Sequence, residues 1–138
     1  MTTQIAEIAP RVLERRRQKV RQRSKKFDRL SPRKRHELRI ATKKLRYTTE
    51  LFGSVFRQDD LHRFVSKLKR LQDALGYAND VRVAHDFLTE LFAQRDLPSP
   101  AIHAWVGMLE WHDNIFARRE RKLLARLDEL NSARPFWR

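Results

Sequence analysis

No cysteine occurs in the 138 residues, which excludes disulfides and thiolate metal sites and fits a reducing cytoplasm. Glycine is nearly as scarce, at three residues, and proline stands at five. Strands and tight turns would demand more turn formers and β-branched residues. With Leu, Ala, Arg, Lys and Glu abundant, the chain is expected to be all-helical. No uncharged stretch approaches the roughly 18 apolar residues that would span a membrane. The N-terminal MTTQIAEIAPRVLERRR has no apolar core of signal-peptide length, so a soluble, cytoplasmic protein is the expectation. A glycine-rich phosphate loop, an HExxH helix and a GxSxG turn are all missing. The five His sit at spacings that suggest no metal site. A protein without catalysis, metal or cofactor is expected.

What the chain has in excess is positive charge. Its net charge is +14, and the first 47 residues hold 17 Lys/Arg against four Asp/Glu, whereas residues 48 to 138 hold 14 against 13. Like charge at that density repels itself and lowers folding stability, so a polyanionic partner is the economical explanation.

Apolar spacing predicts a single domain over 1–138, an antiparallel bundle of four to five helices. A first helix is expected over 4–29, with Ile5, Ile8, Val12, Leu13, Val20 and Phe27 inward. Ser31 as N-cap and Pro32 at the first position open a second over 32–56, with Leu38, Ala41, Leu45, Thr48, Phe52 and Phe56 inward and Gly53 near its end. A third is predicted over 59–75, closed by Gly76 in a left-handed cap, and a fourth from Asn79 or Asp80 to near Arg95. That fourth helix would bury Val83, Ala84, Phe87, Leu88, Leu91 and Phe92. Ser99 and Pro100 repeat the cap-then-proline signal before a fifth, running through Leu130 on the stripe Ile102, Val106, Leu109, Phe116, Leu123 and Leu127.

At about 100° per residue the second helix carries His36, Arg39, Lys43, Arg46, Tyr47 and Glu50 in one sector, opposite its apolar stripe. Arg35 and Lys44 fall outside as flanking charges. Arg16, Lys19, Arg23 and Lys26 repeat the three-four-three spacing on the first helix, with Arg16 and Arg23 inside or beside the apolar stripe. An uncompensated internal charge costs several kcal/mol. Those two heads must therefore snorkel or border a wet cationic groove. A weaker third copy is Arg119, Lys122 and Arg126. A merely solvated basic face stands as the alternative for each ladder. Most aromatic residues fall in apolar stripes and only Tyr47 on the basic face, a pattern that suits a ligand made of phosphates better than stacked bases.

Three segments, HELRIATKKLRYTTELF at 36–52, LKRLQDALGYAND at 68–80 and ARPFWR at the C-terminus, occur in an order and at separations that resemble the CHAD domain, the conserved histidine α-helical domain. The resemblance implies an all-helical domain that binds inorganic polyphosphate in a basic cavity or pore, associates with polyphosphate granules and has no catalysis of its own. By position, His36, Arg39, Lys43 and Arg46, with Tyr47, correspond to the family's signature histidine and basic residues. Lys69 corresponds to its LK-LQ-like basic position, and the first-helix set only to a basic helix before the motif. The family's domain has two related halves, each with a His-centred helix, whereas this chain has one such motif and resembles the C-terminal half. A fragment, or a homodimer rebuilding the two-half channel, follows from that. Nonspecific nucleic-acid binding by the same surface is the alternative function.

Overall fold

A computed structural model describes residues 2–93 and 99–138. Its elements are four α-helices, α1 (Thr2–Ser24), α2 (Pro32–Leu51), α3 (Gln58–Ala93) and α4 (Ser99–Ser132), with 3-10 turns at Phe27–Arg29 and Gly53–Val55. No strand occurs among the described residues, and none of their helices is long and apolar enough to cross a membrane. The expected all-α bundle is the observed architecture.

The junction between α1 and α2 is local chemistry. Lys26 takes a left-handed conformation (φ 52°), which ends α1 five residues short of the predicted boundary and turns Phe27 inward. The Ser31 hydroxyl then accepts from the Lys34 amide at 3.3 Å and Pro32 begins α2. Helix α2 stops at Leu51, not 56, and Gly53 is buried directly after it. A β-carbon at Gly53 would stand 2.8 Å from a methyl of Leu61, so any larger residue in this turn would have to displace the Leu61 side chain.

One element departs from the sequence reading. The helices predicted over 59–75 and 79–95 are a single α3 of 36 residues. Gly76 has no positive φ and ends nothing, and Asn79 accepts from the Arg82 guanidinium at 3.0 Å instead of capping a helix. The physical reason is phase. Leu68, Leu71, Leu75, Ala78 and Val81 continue one buried stripe across the glycine. That burial offsets the roughly 1 kcal/mol a mid-helix glycine costs. The expected end near Arg95 lies outside the described residues.

The core joins Leu13 and Val20 of α1, Phe27, Leu38, Ala41 and Leu45 of α2, the α3 stripe, and Leu123, Leu127 and Leu130 of α4. On α2 the buried threonines are Thr42 and Thr49, their hydroxyls turned back to Leu38 O and Leu45 O, while the predicted Thr48 is half-buried. The C-terminal tail straps the bundle. Trp137 meets Phe64 edge to face at 5.2 Å and its indole N–H donates to Glu14 at 3.0 Å, and Phe136 packs on Phe56 and Phe64.

Helices α3 and α4 are far longer than α1 and α2, which have 23 and 20 residues. Their distal halves extend beyond the bundle as a two-helix arm. Val83, Phe87, Leu91, Ile102 and Val106, all predicted inward, are exposed there because among the described residues no third helix reaches them. Ile5 and Ile8 at the far end of α1 are exposed too.

Candidate anion-binding groove

The N-terminal part of α2 lies along the middle of α3, and between them opens a cleft of about 490 Å³ lined by His36, Arg39, Ile40, Lys43, Gln72, Asp73, Gly76, Tyr77 and Asp80. Gly76 lies in its wall. A β-carbon there would meet nothing within 4 Å, so this position opens onto the cleft and a bulky side chain placed there would enter it. On the other side of α3 a second cleft of about 300 Å³ is lined by Arg70, Asp73, Ala74, Tyr77, Arg119, Lys122 and Arg126. Asp73 and Tyr77 belong to both. The two clefts therefore adjoin, and together they make a candidate groove across α3, lined by cations of α2 in one cleft and of α4 in the other.

Charge in the groove is strongly one-sided. Six Lys/Arg line it against Asp73 and Asp80. Among the described residues, Arg39, Lys43, Arg119 and Lys122 take part in no ion pair. Cations held side by side without internal partners repel one another, and an anion between them removes that cost. Arg119 lies over the Tyr77 ring at 4.1 Å, which fixes its planar fork at the floor of the groove.

The predicted site residues divide into those the fold brings together and those it does not. His36, Arg39 and Lys43 share the α2 wall, and Arg119, Lys122 and Arg126 share the α4 wall. Arg46 sits one turn past Lys43 and is tied to Glu50 (3.2 Å) and Gln72 (3.0 Å), so it braces α2 on α3. Tyr47 is exposed with Lys43 and Arg46 about 6 Å from its ring. Lys69 lies one turn before Asp73 on the same face of α3, exposed and outside both clefts. Arg16, Lys19, Arg23 and Lys26 line neither cleft. Lys19 and Lys26 are exposed, while Arg16 and Arg23 are half-buried, Arg23 reaching Glu37 at 3.5 Å. They snorkel.

The arginine that α1 does bury is Arg17. Its guanidinium donates to the backbone carbonyls of Ala133 (2.6 Å) and Asn131 (3.3 Å), and Arg21 donates to Asn131 O at 2.6 Å, so two cations satisfy the carbonyls at the end of α4. Burial, then the neighbouring Arg21 cation, push the Arg17 guanidinium below its ordinary value, with Glu14 acting in the opposite sense. Arg35 likewise serves the fold: it forms a bidentate pair with Glu120 of α4 and lies 4.3 Å over the Phe27 ring.

Gln72, Asp73, Tyr77, Asp80 and Arg70 are groove residues that the sequence pattern does not mark. All five lie on α3 within two to three turns of Lys69. Recognising that α3 runs through Gly76 would have placed Asp73, Tyr77 and Asp80 on one face, with Gln72 and Arg70 flanking it on opposite sides.

The CHAD domain family matches the chain over residues 2–89, which takes in α1, α2 and most of α3. No curated protein and no solved structure matches it. The α4 wall lies outside the matched residues and rests on the geometry alone.

Proposed function

The chain belongs to the CHAD-domain family, which is associated with polyphosphate binding, and from that premise we propose that it binds inorganic polyphosphate, without catalysis, along the groove between α2, α3 and α4. The observation that carries this reading is the shared pair Asp73 and Tyr77, which joins the two clefts and sets the cationic walls of α2 and α4 on either side of α3. The stretches from His36 to Lys43 and from Arg119 to Arg126 each cover two turns, about 10 Å of wall. That length spans several phosphates of a chain and exceeds a single phosphate ion. Guanidinium forks of Arg39, Arg119 and Arg126 supply paired donors to non-bridging oxygens, and Lys43 and Lys122 supply point charge. The basic residues of α1 lie outside the groove and add to the long-range field that attracts the anion. Binding of this kind would also hold the protein on polyphosphate granules.

Duplex nucleic acid is the competing ligand for any basic surface. The groove offers no helix for the major groove of DNA, and its one central ring, Tyr77, is already covered by Arg119.

Titration with polyphosphates of defined length at several salt concentrations tests the reading. Each phosphate neutralised contributes a slope of roughly −0.7 in log affinity against log salt, so six groove cations predict roughly −4. A flat salt dependence contradicts it. Shape is tested separately by Gly76→Phe, which removes no charge and fills the α2/α3 cleft. Affinity should fall at least about tenfold, an energetic loss of roughly 1.4 kcal/mol, while Gly76→Ala keeps binding and raises stability by about 0.5–1 kcal/mol.

A further inference from the structure

The arm formed by the distal halves of α3 and α4 has an apolar face that nothing among the described residues covers. Phe87 is 63% exposed and Trp111 60%, and Val83, Leu91 and Met108 are exposed around them. Three contacts set the register of the two helices: Phe92 stacked on Trp105 at 5.6 Å, His85 within 3.4 Å of Asp113, and Arg119 over Tyr77. In that register Phe87 is level with Trp111. At about 100° per residue, Val83, Phe87 and Leu91 continue the face of α3 that carries Gly76 and Asp80, and Met108 and Trp111 continue the face of α4 that carries Arg119 and Lys122. The apolar face is thus the direct extension of the basic groove, on the same side of the molecule.

Charge identifies the occupant. Residues 80 to 117 carry two Lys/Arg against six Asp/Glu, while the rest of the chain carries 29 against 11. An acidic, apolar surface repels polyphosphate, nucleic acid and anionic lipid alike. It fits a protein that offers an apolar patch bordered by positive charge, and a second copy of this chain offers both. We propose that the arms of two copies pack face to face in an isologous dimer centred on Phe87 and Trp111. The rings meet near the two-fold axis, and Asp80, Asp86 and Glu90 of each arm turn toward the basic body of the other copy.

The area is adequate. Phe87 and Trp111 each leave on the order of 100 Å² of ring uncovered, and the neighbouring aliphatic residues raise the apolar centre to several hundred Å². A polar rim around that centre would bring it toward the roughly 800 Å² per partner of an ordinary stable interface. The contact would place the two grooves on one continuous surface, and it stands independently of what those grooves bind.

Sedimentation equilibrium without any polyanion tests it. The wild-type chain should show twice its 16.6 kDa mass. Phe87→Ser combined with Trp111→Ser should raise the dimer dissociation constant at least about a hundredfold while circular dichroism stays unchanged, since both rings are in water in the single chain. Ile102→Ser with Val106→Ser, on the opposite flank of α4, should leave the dimer intact. A concentration-independent monomer overturns the proposal. So does a dimer that survives the Phe87/Trp111 substitutions, or one dissociated equally by the Ile102/Val106 pair. Because no polyanion is present, each of these three failures leaves the polyphosphate reading to its own titration.

Discussion

Replacing Arg39, Lys43, Arg119 and Lys122 together by alanine should weaken polyphosphate binding by at least about a thousandfold while helical content is retained. Hydrogen bonds to charged groups contribute about 1.5–3 kcal/mol each. Even about 1 kcal/mol from each of the four approaches a thousandfold in affinity. Stability should fall by no more than the Arg119–Tyr77 contact contributes, about 0.5–1 kcal/mol, because none of the four is in an ion pair among the described residues and removing them relieves mutual repulsion. The control is Lys19→Ala with Lys26→Ala, two exposed cations of α1 outside both clefts. That pair should cost less than about tenfold, the scale of a screened long-range field. An α1 loss as large, per charge, as the groove loss would mean that binding follows total charge and that the groove has no special part.

The second large effect is on stability. Trp137→Ala should lower it by about 3–5 kcal/mol, a fall of roughly 10–20 °C in Tm for a chain of this size. Trp137 is buried in the last turn of the chain, edge-on to Phe64 and Phe136, below the Arg17 guanidinium and hydrogen-bonded to Glu14. Its removal opens a cavity where α1, α3 and the tail meet, and takes one partner from a carboxylate that Arg138 also engages. Trp137→Phe keeps a ring and loses the indole donor, so it should cost less than the alanine variant. Thermal melts followed by circular dichroism check both. A shift under about 2 °C for Trp137→Ala would show that the tail is not part of the core.

The parts of this molecule that short-range chemistry controls were legible in the sequence. Ser31 and Pro32 start α2 where the capping signal placed them, and the His36, Arg39, Lys43 spacing puts three groove residues on one helix face before any neighbour is known. Gly76 misleads because glycine is both a helix ender and a source of space. The choice between these roles is made by the stripe on either side of it, which stays in phase through Ala78 and Val81. Arg16 and Arg17 differ by one position on a helix whose rotation is fixed by the tail it packs against. The sequence pattern marks Arg16 as the problem charge, whereas Arg17 is the one turned inward to the Asn131 and Ala133 carbonyls. Tyr77 and Asp73 are invisible as site residues because their role is to lie between two walls, and which helices supply the walls is a matter of packing. The exposed stripe at Val83 and Phe87 has the spacing of a core face for a related reason. Amphipathic spacing states that a face wants a partner and does not state whether the same chain provides it.

The most direct test of the groove as a polyphosphate site is a competition experiment. Long-chain polyphosphate bound to the wild-type chain is challenged with duplex DNA at equal total phosphate, near physiological salt. If forked contacts along the α2 and α4 walls select a bare phosphate chain, polyphosphate should remain bound, and it should be displaced only when Arg39, Lys43, Arg119 and Lys122 are absent. Displacement of polyphosphate from the wild-type protein by an equal amount of duplex phosphate would contradict the account.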